Sequence, residues 1–302
     1  MSISSASFSK LLWPGLNSIW GDNYNRWPNE YLGLFTKETD SRRYVEDQLV
    51  SGLGLLSAKP EGAPIMYDTA RQGFTQRYVH SVYASGFVIT REMFDDDQYG
   101  VMGKKETLNL NEAAMQTTET VCANVYNRGF NPAYTFADGV EFFSTAHVNV
   151  AGGTFQNELT TAADLSEAAV EQACIDIGKW TDDRGLKAAL KPVKLCVPVE
   201  LRFEAERLLK TEYRVDTANN DISAIYHMGM FPQGWSENHY LTDPDAWFIR
   251  TDAKDGAKYF ERDAYQFSQD NDFETENAKY KVRGRFSAGV TNVKTSFGSP
   301  GA

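Results

Sequence analysis

The sequence predicts an α+β protein. Three observations carry that reading: a long stretch of helical periodicity with no breaker inside it, two β-rich runs joined by a turn-rich loop, and a return to strand patterning after Gly256.

The helical stretch is residues 104–128, KKETLNLNEAAMQTTETVCANVYNR. Leu108, Met115 and Cys122 recur at helical spacing, and Leu110, Ala114, Val121 and Val125 form an adjoining row, so the apolar face is broad but made largely of small side chains. Gly129 followed by Asn131-Pro132 predicts the stop, with Gly129 expected as a left-handed C-cap. Such a helix runs roughly 37 Å. The acidic run Asp95-Asp96-Asp97 before it suits a helix N-terminus better than a metal site, because three successive side chains point in different directions.

Residues 41–56 and 72–90 are rich in β-branched and aromatic side chains, and SAKPEGAPIMYDTAR between them is loop chemistry. Arms of about 15 residues would extend roughly 50 Å, as far as a compact chain of this length is wide. Arg42, Arg43, Glu46, Asp47, Gln76, Arg77 and His80 make full burial costly, so the hairpin is expected to project. Residues 1–36 hold Phe8, Trp13, Trp20, Tyr24, Trp27, Tyr31 and Phe35, interrupted by Pro14, Gly15, Gly21 and Pro28. Rings at that density without periodicity predict an irregular or extended arm that lies on something, either its own domain or a neighbouring subunit.

After Pro132 comes a strand-and-turn region. Residues 166–180 form an amphipathic helix with Ala169, Ala173, Ile177 and Trp180 inward and Ser166 or Asp164 as N-cap. PVKLCVPV reads as a short buried strand, and ELRFEAERLLKTEY as a helix with Leu201, Ala205 and Leu208 inward. AIYHMGMF and AWFIRT read as strands, and so do KYFERDAYQFSQDND and NAKYKVRGRFSAGVTNVKTSFG. In the last run Tyr280, Val282 and Phe286 suit a half-buried strand, with Gly284 and Gly289 as bulges.

Composition narrows the function classes. The 302 residues are 42% hydrophobic and 24% charged, ordinary for a soluble chain, with a high aromatic share of 13%. A net charge of −11 argues against phosphate-backbone binding as the main task. No apolar run approaches a membrane span, and the Ser-rich start lacks the apolar centre of a signal peptide, so a cytosolic protein is expected. Cys122, Cys174 and Cys196 show no metal spacing and read as buried thiols. Phosphate loops, nucleophile elbows and zinc helices are missing, and His80, His147, His227 and His239 are scattered. Gly52-Leu53-Gly54 lacks the third glycine of a dinucleotide loop. Asp243 and Asp245 could pair as acid and base in a hydrolase, but Asp-Pro-Asp is also ordinary turn chemistry. We expect no catalytic site, no metal and no cofactor.

The order of parts, aromatic arm, hairpin, long helix, mixed α/β unit and closing strands, resembles the HK97-type major capsid fold. ITREMFDDD, DGVEFFSTAH, KLCVPVELRFEAERLLKT, LTDPDAW and the ending ENAKYKVRGRFSAGVTNVKTSFGSPGA resemble the Mu-like major head subunit family. The resemblance implies an N-arm at 1–40, an E-loop at 41–92, a P-domain with its spine helix at 93–134, an A-domain at 135–249 and P-domain return strands at 250–302. It further implies a phage head protein assembled in the host cytoplasm, whose hexamers and pentamers enclose double-stranded DNA without reading its sequence. Its partners would be a separate scaffolding protein, a portal and a decoration protein, with no membrane. Expected intersubunit contacts are Trp13, Trp20 and Trp27 of the arm, Lys59 and Pro60 near the E-loop tip, and Tyr78. Some relatives join Lys to Asn covalently, and Lys59 alone is too little to assign that chemistry. Gly52, Gly54, Gly62, Gly73, Gly86, Gly100 and Gly103 are candidate hinges between lattice positions. The alternatives are an encapsulin-like nanocompartment shell and a soluble acid–base hydrolase.

Overall fold

A computed structural model describes residues 16–22, 28–92, 99–150, 152–214, 221–272, 274–275 and 277–302. Asp95, Asp96 and Asp97 lie outside them, as do Trp13 and Trp27. Two four-stranded sheets are joined by a cluster of aromatic rings. Residues 16–22 are helical, where the sequence predicts an irregular or extended arm, and the 3-10 turn Glu30–Gly33 follows. Then come β1 (Thr36–Thr39), β2 (Tyr44–Val50), β3 (Gln72–Val79), β4 (Ser81–Ile89) and the long helix α1 (Tyr99–Asn127). There follow the short ladder β5 (His147–Val148) and β6 (Thr154–Phe155), then α2 (Glu167–Lys179), β7 (Pro192–Val197), α3 (Arg202–Lys210) and α4 (Ala224–Met228). The chain closes with β8 (Trp235–Glu237), β9 (Trp247–Thr251), β10 (Ala257–Asn271), β11 (Ala278–Val290) and β12 (Ser296–Ser299).

The first sheet has the order β1-β10-β11-β4. Its centre is the antiparallel pair β10 and β11, 15 and 13 residues long, and Tyr280, Val282 and Phe286 are buried on one face, as the alternation requires. The two glycines of β11 are not bulges. The register shifts lie in β10, between Glu261 and Gln266, opposite Gly284. A Cβ on Gly284 would stand 2.6 Å from the Tyr265 ring, and one on Gly289 2.8 Å from Tyr78. Both glycines are seats for rings.

Helix α1 lies across this sheet. It is 29 residues long, about 44 Å, and starts ahead of the expected Lys104. Leu110, Ala114, Met115, Cys122, Ala123 and Tyr126 are buried, while Leu108 is partly exposed. The helix does not end on a left-handed glycine, because Gly129 is not among the positive-φ residues. Instead the Phe143 ring passes so close that a Cβ there would meet its Cδ2 at 2.6 Å.

The second sheet has the order β12-β9-β7-β8, so the last strand crosses from the first sheet's neighbourhood to the second. It is covered by α2, whose N-cap Ser166 accepts from Ala169 N at 3.3 Å, and by α3. Ala169, Val170, Ala173, Ile177, Trp180, Leu195, Ala205, Trp247, Ile249 and Phe297 form its core. AIYHM is a helix where the sequence pattern predicts a strand. Ser223 Oγ accepts from Tyr226 N at 3.4 Å to start it, and Gly229 at φ 58° stops it, so local capping overrides the apolar run. Between the sheets Tyr126 meets Phe35, Phe142, Phe143 and Phe248, with the last ring edge-on at 5.2 Å.

Candidate assembly surfaces

The β2–β3 pair is a two-stranded ladder outside both sheets. Its arms are seven and eight residues, about half the expected length, because pairing ends at Val50 and His80 breaks β3 from β4. A lone two-stranded ribbon is marginal in water, and here its root is tied to the first sheet. Lys258 Nζ donates to Asp47 Oδ2 at 2.6 Å and to Asp255 Oδ1 at 3.2 Å, with Glu38 3.6 Å away. Thr291 Oγ1 donates to the same Asp47 oxygen at 2.8 Å, which leaves Tyr78 OH to donate to Thr291 at 2.6 Å. Burial pulls the Lys258 pKa down, but the hydrogen bonds to Asp47 and Asp255 outweigh it and the net direction is up. Burial acts in the opposite direction on Tyr78, raising its pKa, so the hydroxyl stays a neutral donor.

Beyond the ladder, residues 51–71 carry large apolar side chains into solvent: Leu55 is 83% exposed, Leu56 96%, Met66 80% and Tyr67 93%. Lys59 and Pro60 are exposed at the same tip. The loop is held in shape by Asp68, which accepts from Gly54 N at 2.7 Å and pairs with Arg184 at 2.6 Å. Those contacts, the backbone N–H of Gly54 foremost, keep the Asp68 carboxyl below its ordinary value. A singly exposed Leu is normal, whereas this one loop exposes Leu53, Leu55, Leu56, Ile65, Met66 and Tyr67 together.

The root of the N-terminal segment is gripped by α1. Glu119, buried on that helix, accepts from Glu30 N and Tyr31 N, each at 2.9 Å, and so fills the orphan donors of the 3-10 turn Glu30–Gly33. Burial pushes the Glu119 pKa up to about 7, against the pull of the two N–H groups. Glu30 in turn binds His239 through Nδ1 at 2.8 Å and the backbone N–H at 2.9 Å. Further upstream, Trp20 stacks on Phe267 at 5.4 Å and its carbonyl accepts from Asn111.

Of the expected contact residues, the structure therefore buries Trp20 and Tyr78 within their own chain and exposes Lys59 and Pro60. Sequence reasoning misses the Asp47–Lys258 tie and the Glu119 grip, since each joins residues far apart in sequence. The one local signal is a carboxylate in the middle of a mostly apolar helix face.

Nothing in the geometry assembles a catalytic centre among the described residues. Asp245 N donates to Asp243 Oδ1 at 3.1 Å, a turn contact. His147 is held by Asp138 at 2.5 Å and Asn157 at 3.1 Å in the interior. Cys122 and Cys196 are buried as expected, while Cys174 is only partly buried at the margin of its core; burial raises all three thiols, Cys174 and Cys196 to about 12. No cluster of metal-ligating side chains occurs among the described residues, and no helix is long and apolar enough to cross a membrane.

A spine helix laid over a long-stranded sheet, a second mixed sheet and an anchored outlying hairpin define an HK97-like fold. The chain belongs to the phage capsid protein family, whose sequence pattern matches residues 73–296. No curated protein matches it. It is similar to the procapsid protein of bacteriophage JBD30, at 16% identity and TM-score 0.56 over 98% of this chain and 76% of that one. It is also similar to a capsid chain of a native GTA particle, at 11% identity and TM-score 0.56 over 90% and 89%. A virus-like particle from Pyrococcus furiosus matches at 9% identity and TM-score 0.54 over 94% and 97%.

Proposed function

We propose that this chain is the major head protein of a tailed phage, forming hexamers and pentamers that tile an icosahedral shell around double-stranded DNA. The observation that carries the reading is the hairpin: rooted by a charged tie to its own sheet, it ends in a tip of exposed Leu, Ile, Met and Tyr side chains. That tip gains free energy only when another copy covers it, at about 25 cal/mol per Å² of apolar area removed from water. The segments 1–40, 41–92, 93–134, 135–249 and 250–302 act as N-arm, E-loop, spine-bearing P-domain, A-domain and return strands, with β12 completing the sheet of the A-domain. Trp13 and Trp27 of the arm and Lys59 and Pro60 of the tip contact neighbours, while Trp20 and Tyr78 fix the roots of those segments. A negatively charged wall suits DNA that is enclosed and not bound. Assembly takes place in the host cytoplasm with a scaffolding protein, a portal and a decoration protein as partners.

The test is expression of the chain with and without a scaffolding protein, followed by electron microscopy. Replacing Leu55, Leu56, Met66 and Tyr67 by Ser should leave the melting temperature unchanged and abolish shells; normal shells from that variant would refute the reading. The similarity to a virus-like particle keeps an enzyme-holding nanocompartment as the second reading. Nuclease-protected DNA in particles from infected cells separates the two.

A further inference from the structure

The two edges of the first sheet are unlike. The β1 edge is four residues long and carries Lys37 and Glu38, the usual way of blunting an edge. The β4 edge is nine residues long, SVYASGFVI, with neither a charge nor a proline. Among the described residues no strand pairs with its outer side, and no turn or loop backbone bond reaches residues 81–89. Val82 is 49% exposed and Val88 54%, and Ala84, Ser85 and Gly86 at the middle are exposed as well.

The sequence of this edge is complementary to its own reverse. Turned end for end about Ser85, it sets Val82 opposite Val88, Tyr83 opposite Phe87 and Ala84 opposite Gly86. Each pair lies on one face of the sheet, because residues directly opposite in an antiparallel ladder share a face. We propose that β4 is an interface between copies of this chain. Two β4 strands pair antiparallel around a local two-fold axis at Ser85, joining two four-stranded sheets into one of eight.

The surrounding packing supports this occupant. Tyr83 already stacks on Phe286 at 4.6 Å and Phe87 on Tyr280 at 4.9 Å, so the pairing extends each ring stack into the partner's. Ala84 and Gly86 at the axis let the backbones close. On the opposite face, Lys279, Lys281, Arg283 and Arg285 of β11 lie beside Val88, Gly86, Ala84 and Val82. Their copies would lie three strand spacings away, about 14 Å, beyond the screening length of physiological salt, so their repulsion is weak. A single strand pair is too small to hold a free dimer, so the contact forms within the shell.

The inference rests on the shell reading, and the experiment separates the two. Ser85→Cys places a thiol on the axis, where opposed Cα atoms stand about 4.5–5.5 Å apart, within disulfide range. Ser81→Cys is the control: across this interface its copies are eight residues out of register, about 27 Å apart. Oxidised shells of Ser85→Cys should run as dimers on a non-reducing gel, and those of Ser81→Cys and of the unmodified chain as monomers. Shells in which the Ser85→Cys variant stays monomeric, or in which the Ser81→Cys variant cross-links equally well, overturn the β4 pairing and leave the shell reading intact. Failure of the unmodified chain to form shells would overturn the shell reading instead. A charge pair provides a second route. V82K/V88K sets Lys against Lys at both ends of the ladder and should lower shell yield at least roughly tenfold, whereas V82K/V88E sets Lys against Glu and should stay within about twofold of the unmodified chain. Equal yields from the two would overturn the register.

Discussion

Asp47 and Lys258, separated by 211 positions in the chain, meet at 2.6 Å and tie the hairpin to the first sheet. Lys258 keeps only 9% of its side chain exposed and Asp47 21%, so the pair is neither a surface bridge worth a few tenths of a kcal/mol nor a fully dry one. Removing Lys258 leaves the Asp47 carboxylate with only the Thr291 hydroxyl, and removing Asp47 leaves Lys258 with the weaker contacts to Asp255 at 3.2 Å and Glu38 at 3.6 Å. Asp47→Ala and Lys258→Met should each cost about 2 kcal/mol in denaturant melts. The double variant should cost clearly less than the sum, because no orphan charge remains. Strict additivity would mean that the two side chains do not interact.

Glu119 should make stability depend on pH in an unusual direction. Its pKa in the folded chain is raised from 4.5 to about 7, so the folded state holds a proton that the unfolded chain releases. The stabilisation is therefore fully present below pH 4.5 and is lost as the pH rises through 7. The loss is on the order of 2 kcal/mol once solvent screening is allowed for. Glu119→Gln cannot ionise. Melting temperatures measured from about pH 4.5 to 8 should fall for the native chain relative to the variant, and parallel curves would remove Glu119 as the cause.

The Tyr78 hydroxyl contributes less than its ring. Tyr78→Phe loses one buried hydrogen bond to Thr291 and should cost about 1 kcal/mol in denaturant melts. Tyr78→Ala also empties the space over Gly289 and should cost about 3–5 kcal/mol. Equal losses would mean that the ring is not packed there.

Periodic elements are legible because their signal is local. The buried face of α1 apart from Leu108, the buried face of α2, the cap at Ser166 and the long closing strands follow from spacing alone. The short helix at Ala224–Met228 is not legible, because AIYHM has no period long enough to tell a five-residue helix from a strand, and its caps decide the matter. The hairpin is recognisable but shorter than its sequence suggests: apolar residues past Val50 look like strand, yet they face solvent in a loop. Trp20 and Tyr78 read as outward anchors because sequence shows that a ring must be covered, not by what.

Glycine roles are the least legible, and Gly129 shows why. A glycine after a helix reads as a left-handed cap, for which Asn is the next best residue and Ala costs about 1 kcal/mol. In the structure the constraint is instead the Phe143 ring, with its Cδ2 2.6 Å and its Cε2 2.7 Å from where a Cβ would stand. Phe143 is itself pinned, 1% exposed and packed against Phe142, Phe130, Phe248 and Tyr126, so it has no room to retreat. Gly129→Asn should therefore be no better tolerated than Gly129→Ala, each costing roughly 1–3 kcal/mol as overpacking. Pairing Gly129→Ala with Phe143→Leu should recover part of that loss, because the smaller side chain vacates the ring edge. Denaturant midpoints of the native chain and the three variants decide the question: an Asn variant as stable as the native chain would restore the capping role and remove the steric one.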